Sequence, residues 1–212
     1  MSGTSLEKRR RAAGLMRDLS RELLTADLDL EDLDRVIAGL SRLNESVAAA
    51  PRLVRNERRL LVRQSGEELD EESSWDGDPL VGFSNPVAPP LIREDGPAGE
   101  WKVTFGTAYE GHPGLVHGGF VAASLDHVLG VTASTSEGTS MTGTLTVRYR
   151  RPTPAHVELV CRGRVDRVEG RKVFCRAELR HGGTVLAEAD GVFFRVDSIP
   201  SRQPKVRVHG DS

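Results

Sequence analysis

The spacing of hydrophobic residues divides the chain into a helical part followed by a part rich in strands. In residues 5–47, leucine, isoleucine and valine recur at helical intervals among many charges, which predicts two amphipathic helices. The first is predicted at residues 5–24. Asp29 is placed to cap the second, and Pro51 lies just beyond its end. The two helices could form a hairpin against the main domain or a second copy, or a mobile arm.

From Trp101 onward the hydrophobic period changes to two, which is the period of half-buried strands. Trp101, Val103 and Phe105 share one face of the first predicted strand. Tight turns are predicted at Gly170 and at Gly182-Gly183, since glycine accepts a left-handed backbone. The longer alternating runs predict an antiparallel meander and cover residues 141–149, 157–165, 173–179 and 184–196.

Strict alternation in the run after the apolar segment assigns its side chains to two faces. It predicts that Met141 and Gly143 share a face with Leu145, whereas Thr142 lies on the opposite face.

A lone apolar helix beside runs of strands argues for an α+β fold and against alternating α/β units. The helix is predicted at residues 120–130, with the sheet curling round it. The acidic run EELDEESSWDGD at residues 67–78 reads as a linker. We therefore predict a helical extension with its acidic linker at residues 1–75, the main domain at 76–198 and a polar tail at 199–212.

Composition narrows the possible functions. The chain has 212 residues and a net charge of −2, so no basic excess indicates nucleic acid, and no apolar run is long enough to span a membrane. The basic residues 8–11 share their segment with Glu7 and Asp18, and no signal-peptide segment is present, so we expect a cytoplasmic protein. Cys161 and Cys175 lack metal-ligand spacing, which indicates small buried residues in a reducing compartment.

The stretch GHPGLVHGGFVAASLDHVLG, residues 111–130, holds the candidate chemistry. Amides at a glycine-rich helix start have no helical partners and lie at the positive end of the dipole, so they could hold an oxyanion. Asp126 interrupts an apolar helix face, where it could be a base for water or a nucleophile. Thr142 begins the next strand and could orient the water or the carboxylate. These parts suit attack on an activated acyl group.

Each of these residues also has a purely structural interpretation. Gly118-Gly119 could be only a turn and helix entry, and His117 only a cap residue or a core imidazole. Asp126 could be an ordinary partner for an arginine. The sequence contains no G-x-S-x-G, P-loop or Rossmann pattern and no His/Cys metal cluster that would indicate another chemistry.

Three motifs in order, HPGLVHGGFVAASLD, MTGTLTVRYRRPTP and DRVEGRKVFCRAEL, resemble the hotdog-fold acyl-CoA thioesterases. The likeness covers residues 80–197 and is strongest to the branch with the phenylacetic-acid-pathway and mitochondrial long-chain types. It implies a long central helix wrapped by a curved antiparallel sheet, and a homodimer or dimer of dimers with interfacial active sites. It also implies hydrolysis of acyl-CoA to the free acid and CoA, with no metal and no cofactor, since coenzyme A is part of the substrate.

The resemblance also implies roles for individual residues. Some relatives carry Asn six residues before the His of the HGG motif, where this chain has Gly111. Gly119 is a predicted substrate contact in the same motif. The implied catalytic residues are His117 as the HGG histidine, Gly118 as the amide that polarises the thioester carbonyl, Asp126 as base or nucleophile, and Thr142 as the hydroxyl residue of the next strand.

Coenzyme A carries phosphates, which require cations. Two short basic clusters near strand ends are therefore predicted to bind the substrate: Arg150, Arg151, Arg171 and Lys172. The structural alternative is that they are exposed charges on a sheet. Two other functions stay open. One is a non-catalytic acyl-CoA or lipid-ligand module, whose helical extension passes the signal to a partner, and the other is a hotdog hydratase or dehydratase.

Overall fold

The chain forms two compact units in the computed structural model, which describes residues 5–51, 75–94, 100–137 and 139–196. One unit comprises Met1–Pro90 with Gly106–Ala108, and the other comprises Leu91–Phe105 with Tyr109–Ser212. Most of the predicted acidic linker and all of the predicted tail, residues 199–212, lie outside the described residues.

The first unit contains the two predicted amphipathic helices, α1 (Ser5–Thr25) and α2 (Leu30–Ala48). The predicted cap is confirmed, because the Asp29 carboxylate accepts a hydrogen bond of 2.8 Å from the Asp32 amide.

A loop at residues 75–90 packs on α1. Arg10 pairs with the buried Asp76 at 2.7 Å, and the Arg17 guanidinium donates to the Asn85 carbonyl oxygen at 2.8 Å. This loop belongs to the first unit, which extends to Pro90, and the boundary at residues 75–76 stays a prediction.

The main sheet of the second unit is antiparallel and six-stranded, and a long helix, α3 (Gly118–Glu137), packs against it. The sheet has the strand order β1-β2-β6-β7-β8-β5, and β3 and β4 form a separate pair. This helix-on-sheet arrangement is the hotdog fold that the resemblance implies. The strands are β1 (Ile92–Arg93), β2 (Glu100–Thr104), β3 (Glu110–His112), β4 (Leu115–Val116), β5 (Ser140–Tyr149), β6 (Glu158–Glu169), β7 (Lys172–His181) and β8 (Thr184–Arg195).

The core lies between α3 and the sheet. Leu125 and Leu129 of α3 are fully buried, as are Leu159, Leu179 and Phe193 from the strands. The alternation predicted for β6 and β7 is confirmed by their burial, and burial of apolar side chains on one face is what holds helix and sheet together. The predicted turn glycines Gly170 and Gly182 have φ of 58° and 53°.

The predicted faces of β5 are wrong at its beginning, because the strand contains a β-bulge at Gly143. Thr142 lies opposite the buried Phe193 and therefore faces α3. Met141 is 49% exposed on the other side, opposite Phe194. A Cβ at residue 143 would lie 2.6 Å from Cδ2 of Phe194, so glycine allows the bulge to form under this ring.

Candidate active site

His117 caps the N-terminus of α3. Its carbonyl oxygen accepts the Phe120 amide at 3.0 Å, and its Nδ1 accepts the Gly119 amide at 3.0 Å. Two glycines make room for the ring, since a Cβ would lie 3.1 Å from Cδ2 at Gly111 and 3.0 Å from Nδ1 at Gly119. His117 is thus the cap residue that one of the sequence interpretations described, and Gly111 leaves space for it.

Gly118 presents a different pair of backbone groups. Its carbonyl oxygen accepts a hydrogen bond of 2.8 Å from the Tyr149 hydroxyl. Its N–H has no acceptor within the described residues, as expected for the first residue of a helix. The Gly119 amide is already bonded to His117, so of the two predicted glycine amides that of Gly118 can receive a ligand oxygen.

A cleft of about 710 Å³ opens at this end of α3. His117, Gly118 and Tyr149 line it together with Arg150 and Arg151. The structure therefore brings four predicted site residues into one cleft, with cations beside a helix N-terminus, which is a favourable environment for anionic groups.

The two arginines of the cleft differ in their partners. The Arg150 guanidinium pairs with Glu188 at 2.7 Å, whereas the structure records no ion pair for Arg151 among the described residues. The backbone amides of Arg150 and Arg151 both donate to the Leu186 carbonyl oxygen, at 2.8 and 3.0 Å, and these bonds hold the segment against β8. Of the two cleft arginines, Arg151 is therefore the one without an ion pair in the described part of the chain.

Asp126 lies eight residues beyond Gly118, which is about 12 Å along the helix axis, and does not line the cleft. The Thr142 hydroxyl donates to Oδ1 of Asp126 at 3.0 Å, so Thr142 contacts the carboxylate, one of the two groups that the sequence suggested it could orient. Asp126 is half-buried, and within the described part of the chain no arginine pairs with it and its Oδ2 accepts no hydrogen bond. One carboxylate oxygen is held and the other is available to water.

Arg171 and Lys172 lie at the opposite end of the sheet. Through the strand pairing, Lys172 is about seven residues, roughly 24 Å, from the level of Tyr149. Arg171 donates to the Arg195 carbonyl oxygen at 3.1 Å, and the Lys172 ammonium lies 6.0 Å from the Phe194 ring. The structure does not bring this basic pair to the cleft of the same chain.

Glu110 and His156, which sequence reasoning missed, hold the loop that lines the cleft. The Glu110 carboxylate accepts the Gly114 amide at 3.0 Å and bonds Nε2 of His156 at 2.8 Å. The Gly114 amide and then His156 lower the pKa of Glu110. His156 has φ of 62°, a strained value for a residue with a side chain. No short motif links positions 46 residues apart.

Tyr149 was also missed, although it stands in the motif MTGTLTVRYRRPTP. A hydroxyl at the end of a strand has no pattern that distinguishes it from a packing aromatic. Among the described residues, no cluster of three His, Cys, Asp or Glu side chains is suited to a metal ion. The described helices are all too short or too polar to cross a lipid bilayer.

Comparisons with known proteins place the site in context. A family model described as Thioesterase superfamily matches residues 113–188. The chain is 35% identical over 94 residues to acyl-coenzyme A thioesterase THEM4 of Mus musculus and 37% identical over 93 residues to THEM4 of Xenopus laevis. It is 32% identical over 93 residues to acyl-coenzyme A thioesterase THEM5 of Homo sapiens.

These three alignments cover 43% of this chain and between 38% and 42% of the relatives, so the chain spans about two fifths of the length of the curated relatives it matches. A crystal structure of a thioesterase superfamily protein aligns with a TM-score of 0.72 and 31% identity, over 92% of both chains. That alignment extends well beyond residues 113–188.

Proposed function

Because the chain belongs to the thioesterase superfamily, we propose that it hydrolyses acyl-CoA thioesters to the free acid and CoA. The observation that carries the proposal is the set of groups on α3: an available amide at Gly118 and a carboxylate, Asp126, oriented by the Thr142 hydroxyl. The relatives named acyl-coenzyme A thioesterase support the same substrate class.

In the proposed reaction, the thioester carbonyl oxygen accepts a hydrogen bond from the Gly118 amide, where the helix dipole favours developing negative charge. Asp126 either removes a proton from the water that attacks the carbonyl carbon or attacks that carbon itself. The C–S bond then breaks, and CoA leaves as a thiolate. When Asp126 acts as a base, the thiolate takes up the proton that Asp126 removed from water. When Asp126 attacks, water hydrolyses the resulting anhydride, which releases the acid and supplies the proton for the thiolate. Arg151, with Arg150 beside it, binds CoA phosphates at the cleft.

A homodimer is part of the proposal, because Gly118 and Asp126 of one chain are too far apart to act on one carbonyl. β5 is the outer strand of its sheet, and its two ends hold Asp126 and Gly118 through Thr142 and Tyr149. Antiparallel pairing of β5 with a second copy would place the Asp126 end beside the partner's cleft. A dimer of dimers would use the same contact, and the pairing would also turn the end with Arg171–Lys172 toward that cleft.

The test of the chemistry is thiol release from a panel of acyl-CoAs. Asp126→Ala should lower kcat about a thousandfold while the dimer stays folded. Gly118→Pro removes the proposed amide donor at the first helical position, where proline is tolerated, and should lower kcat about a hundredfold or more. Gly118→Ala keeps the amide and is the matched control. Wild-type turnover in Asp126→Ala would contradict the mechanism.

The shared site has its own test. Co-expressed Asp126→Ala and Gly118→Pro chains should form mixed dimers in which one of the two sites contains both intact groups. Activity in the mixed dimers above that of either homodimer supports sites built from two chains, and its absence contradicts them. Tight binding of acyl-CoA without thiol release across the panel would instead favour the non-catalytic ligand module.

We also propose that the protein works in the cytoplasm. Cys161 and Cys175 are free and buried, and burial raises the pKa of the two thiols to about 12 and about 11. Unreactive free thiols are compatible with a reducing compartment. Fractionation of cells that express the tagged protein tests this location.

A further inference from the structure

The peptide unit between Gly118 and Gly119 is held at both of its polar atoms. The Tyr149 hydroxyl donates to its oxygen at 2.8 Å, and Nδ1 of His117 accepts from its nitrogen at 3.0 Å. A peptide unit is planar, so two hydrogen bonds on opposite edges fix its rotation about the chain axis. We call Tyr149, His117 and this peptide the clamp.

The clamp restrains the most flexible dipeptide of the helix. Gly118 and Gly119 have no side chains to limit their dihedral angles, so the direction of the neighbouring Gly118 N–H would otherwise vary. The preceding peptide is fixed through the His117 carbonyl oxygen, which accepts the Phe120 amide at 3.0 Å. With both peptides held, the Gly118 N–H has one direction before a substrate arrives, as electrostatic catalysis requires.

The clamp also selects the tautomer of His117. Because Nδ1 accepts the Gly119 amide proton, the neutral ring carries its own proton on Nε2. The ring lines the cleft, so its Nε2–H is a second donor at this end of the site. Tyr149 supports that state indirectly, because its bond polarises the peptide whose N–H His117 accepts.

The placement of Tyr149 depends on the bulge in β5. Thr142 and Tyr149 are an odd number of residues apart, so in a regular strand they would face opposite sides. The bulge at Gly143 places both on the α3 side, and Tyr149 lies opposite the buried Ala187. The phenol is 54% exposed, so packing alone does not account for a tyrosine here. Its ring lies 3.4 Å from where a Gly118 Cβ would be.

We propose that Tyr149 is a positioning residue for thioester hydrolysis, which acts through the clamp to fix the Gly118 amide and the Nε2–H tautomer of His117. The inference rests on the proposed function for its kinetic part. Its structural part stands on the two hydrogen bonds alone. Tyr149 contacts the backbone of α3, and the proposal gives it no contact with the reacting atoms.

The test is Tyr149→Phe, which keeps the ring over Gly118 and removes only the hydroxyl. We expect kcat to fall about tenfold, the rate equivalent of one neutral hydrogen bond, with the KM for acyl-CoA unchanged. The imidazole nitrogen chemical shifts of His117 should move from the values of the Nε2–H tautomer toward those of a mixture of the two tautomers. The amide signal of Gly119 should also shift. Thr146→Val removes a hydroxyl from the other face of β5 and is the matched control.

The outcomes separate this inference from the proposed function. Wild-type kcat and an unchanged His117 tautomer in Tyr149→Phe overturn the clamp. A lowered kcat with a changed tautomer supports it, whereas a lowered kcat with an unchanged His117 and Gly119 contradicts it. If the wild type releases no thiol from any acyl-CoA but the His117 tautomer still changes, the proposed function fails and the structural part of the clamp is supported.

Discussion

The two ends of β5 contact the same helix in different ways. At one end Tyr149 bonds a backbone carbonyl, and the adjoining peptides are also held by His117, so the Gly118 amide is fixed by several hydrogen bonds. At the other end, within the described residues, the Asp126 carboxylate accepts one hydrogen bond, from Thr142. A donor that stabilises developing charge must be oriented in advance, whereas a base or nucleophile must exchange partners during the reaction. The difference in restraint matches the two proposed roles.

Because of the bulge at Gly143, side chains at both ends of β5 contact α3, so loss of the bulge should have the largest effect. Gly143→Val should prevent the bulge, because its side chain would clash with the Phe194 ring. With residue 143 paired as part of a regular strand, Thr142 turns away from α3, because a shift of one residue reverses the faces of a strand. We expect kcat to fall about a hundredfold or more, since the carboxylate loses its bond from Thr142 and faces an apolar side chain instead. Thiol release measures the rate, and circular dichroism checks the fold.

Gly143→Ala is the milder form of the same change, because its Cβ meets the Phe194 ring, and Gly183→Ala is its control, since a Cβ there meets nothing within 4 Å. A folded Gly143→Val variant with wild-type kcat would show that the bulge does not matter for the site.

Thr142→Val should have the next largest effect, because it removes the hydroxyl and keeps the shape. A hydrogen bond to a charged group contributes about 1.5–3 kcal/mol, so kcat should fall by at least about tenfold while KM stays nearly constant. Steady-state kinetics of thiol release measures both. Thr142→Ser restores the donor and should recover much of the rate. If valine and serine give equal rates, the hydroxyl has no role in orienting Asp126.

Arg151→Gln tests phosphate binding at the cleft end of α3. Arg151 has no recorded ion pair in the described part of the chain, whereas Arg150 already pairs with Glu188. We expect KM for acyl-CoA to rise about fivefold in Arg151→Gln and less in Arg150→Gln, as loss of a phosphate contact predicts. An N-acetylcysteamine thioester lacks the phosphates, so with it both variants should match the wild type. An equal rise in KM for the short thioester would exclude phosphate binding.

The smallest expected effect is a change in stability with pH at the loop beside the cleft. The pKa of Glu110 is lowered from its ordinary value of 4.5, so its carboxylate stabilises the fold above that value, and this stabilisation is lost as the pH falls through the lowered pKa. Glu110→Gln removes this pH-dependent stabilisation. The difference in thermal midpoint between wild type and variant should be largest near neutral pH and shrink in acid. A difference that is constant with pH would contradict this role.

The sequence predicted the parts of the fold that depend on local spacing. The helices at residues 5–24 and after Asp29, the strands of the meander and the turn glycines follow from periodicity and dihedral preference, which neighbouring residues determine. The sequence also suggested that Thr142 orients either the water or the Asp126 carboxylate, and the hydrogen bond between them matches the second alternative. The faces of β5 could not be predicted, because the Phe194 ring that covers the bulge lies on another strand.

By itself, the sequence determined that this protein is an apolar helix beside an antiparallel meander, with Gly118, Asp126 and Thr142 as its candidate chemistry. The tertiary structure alone decided that Tyr149 holds the helix start and that Arg151 and not Arg171 lies at the same cleft. The reason is physical: periodicity and dihedral preference act over a few residues, whereas a bulge and a hydrogen bond across 31 residues depend on which strands become neighbours.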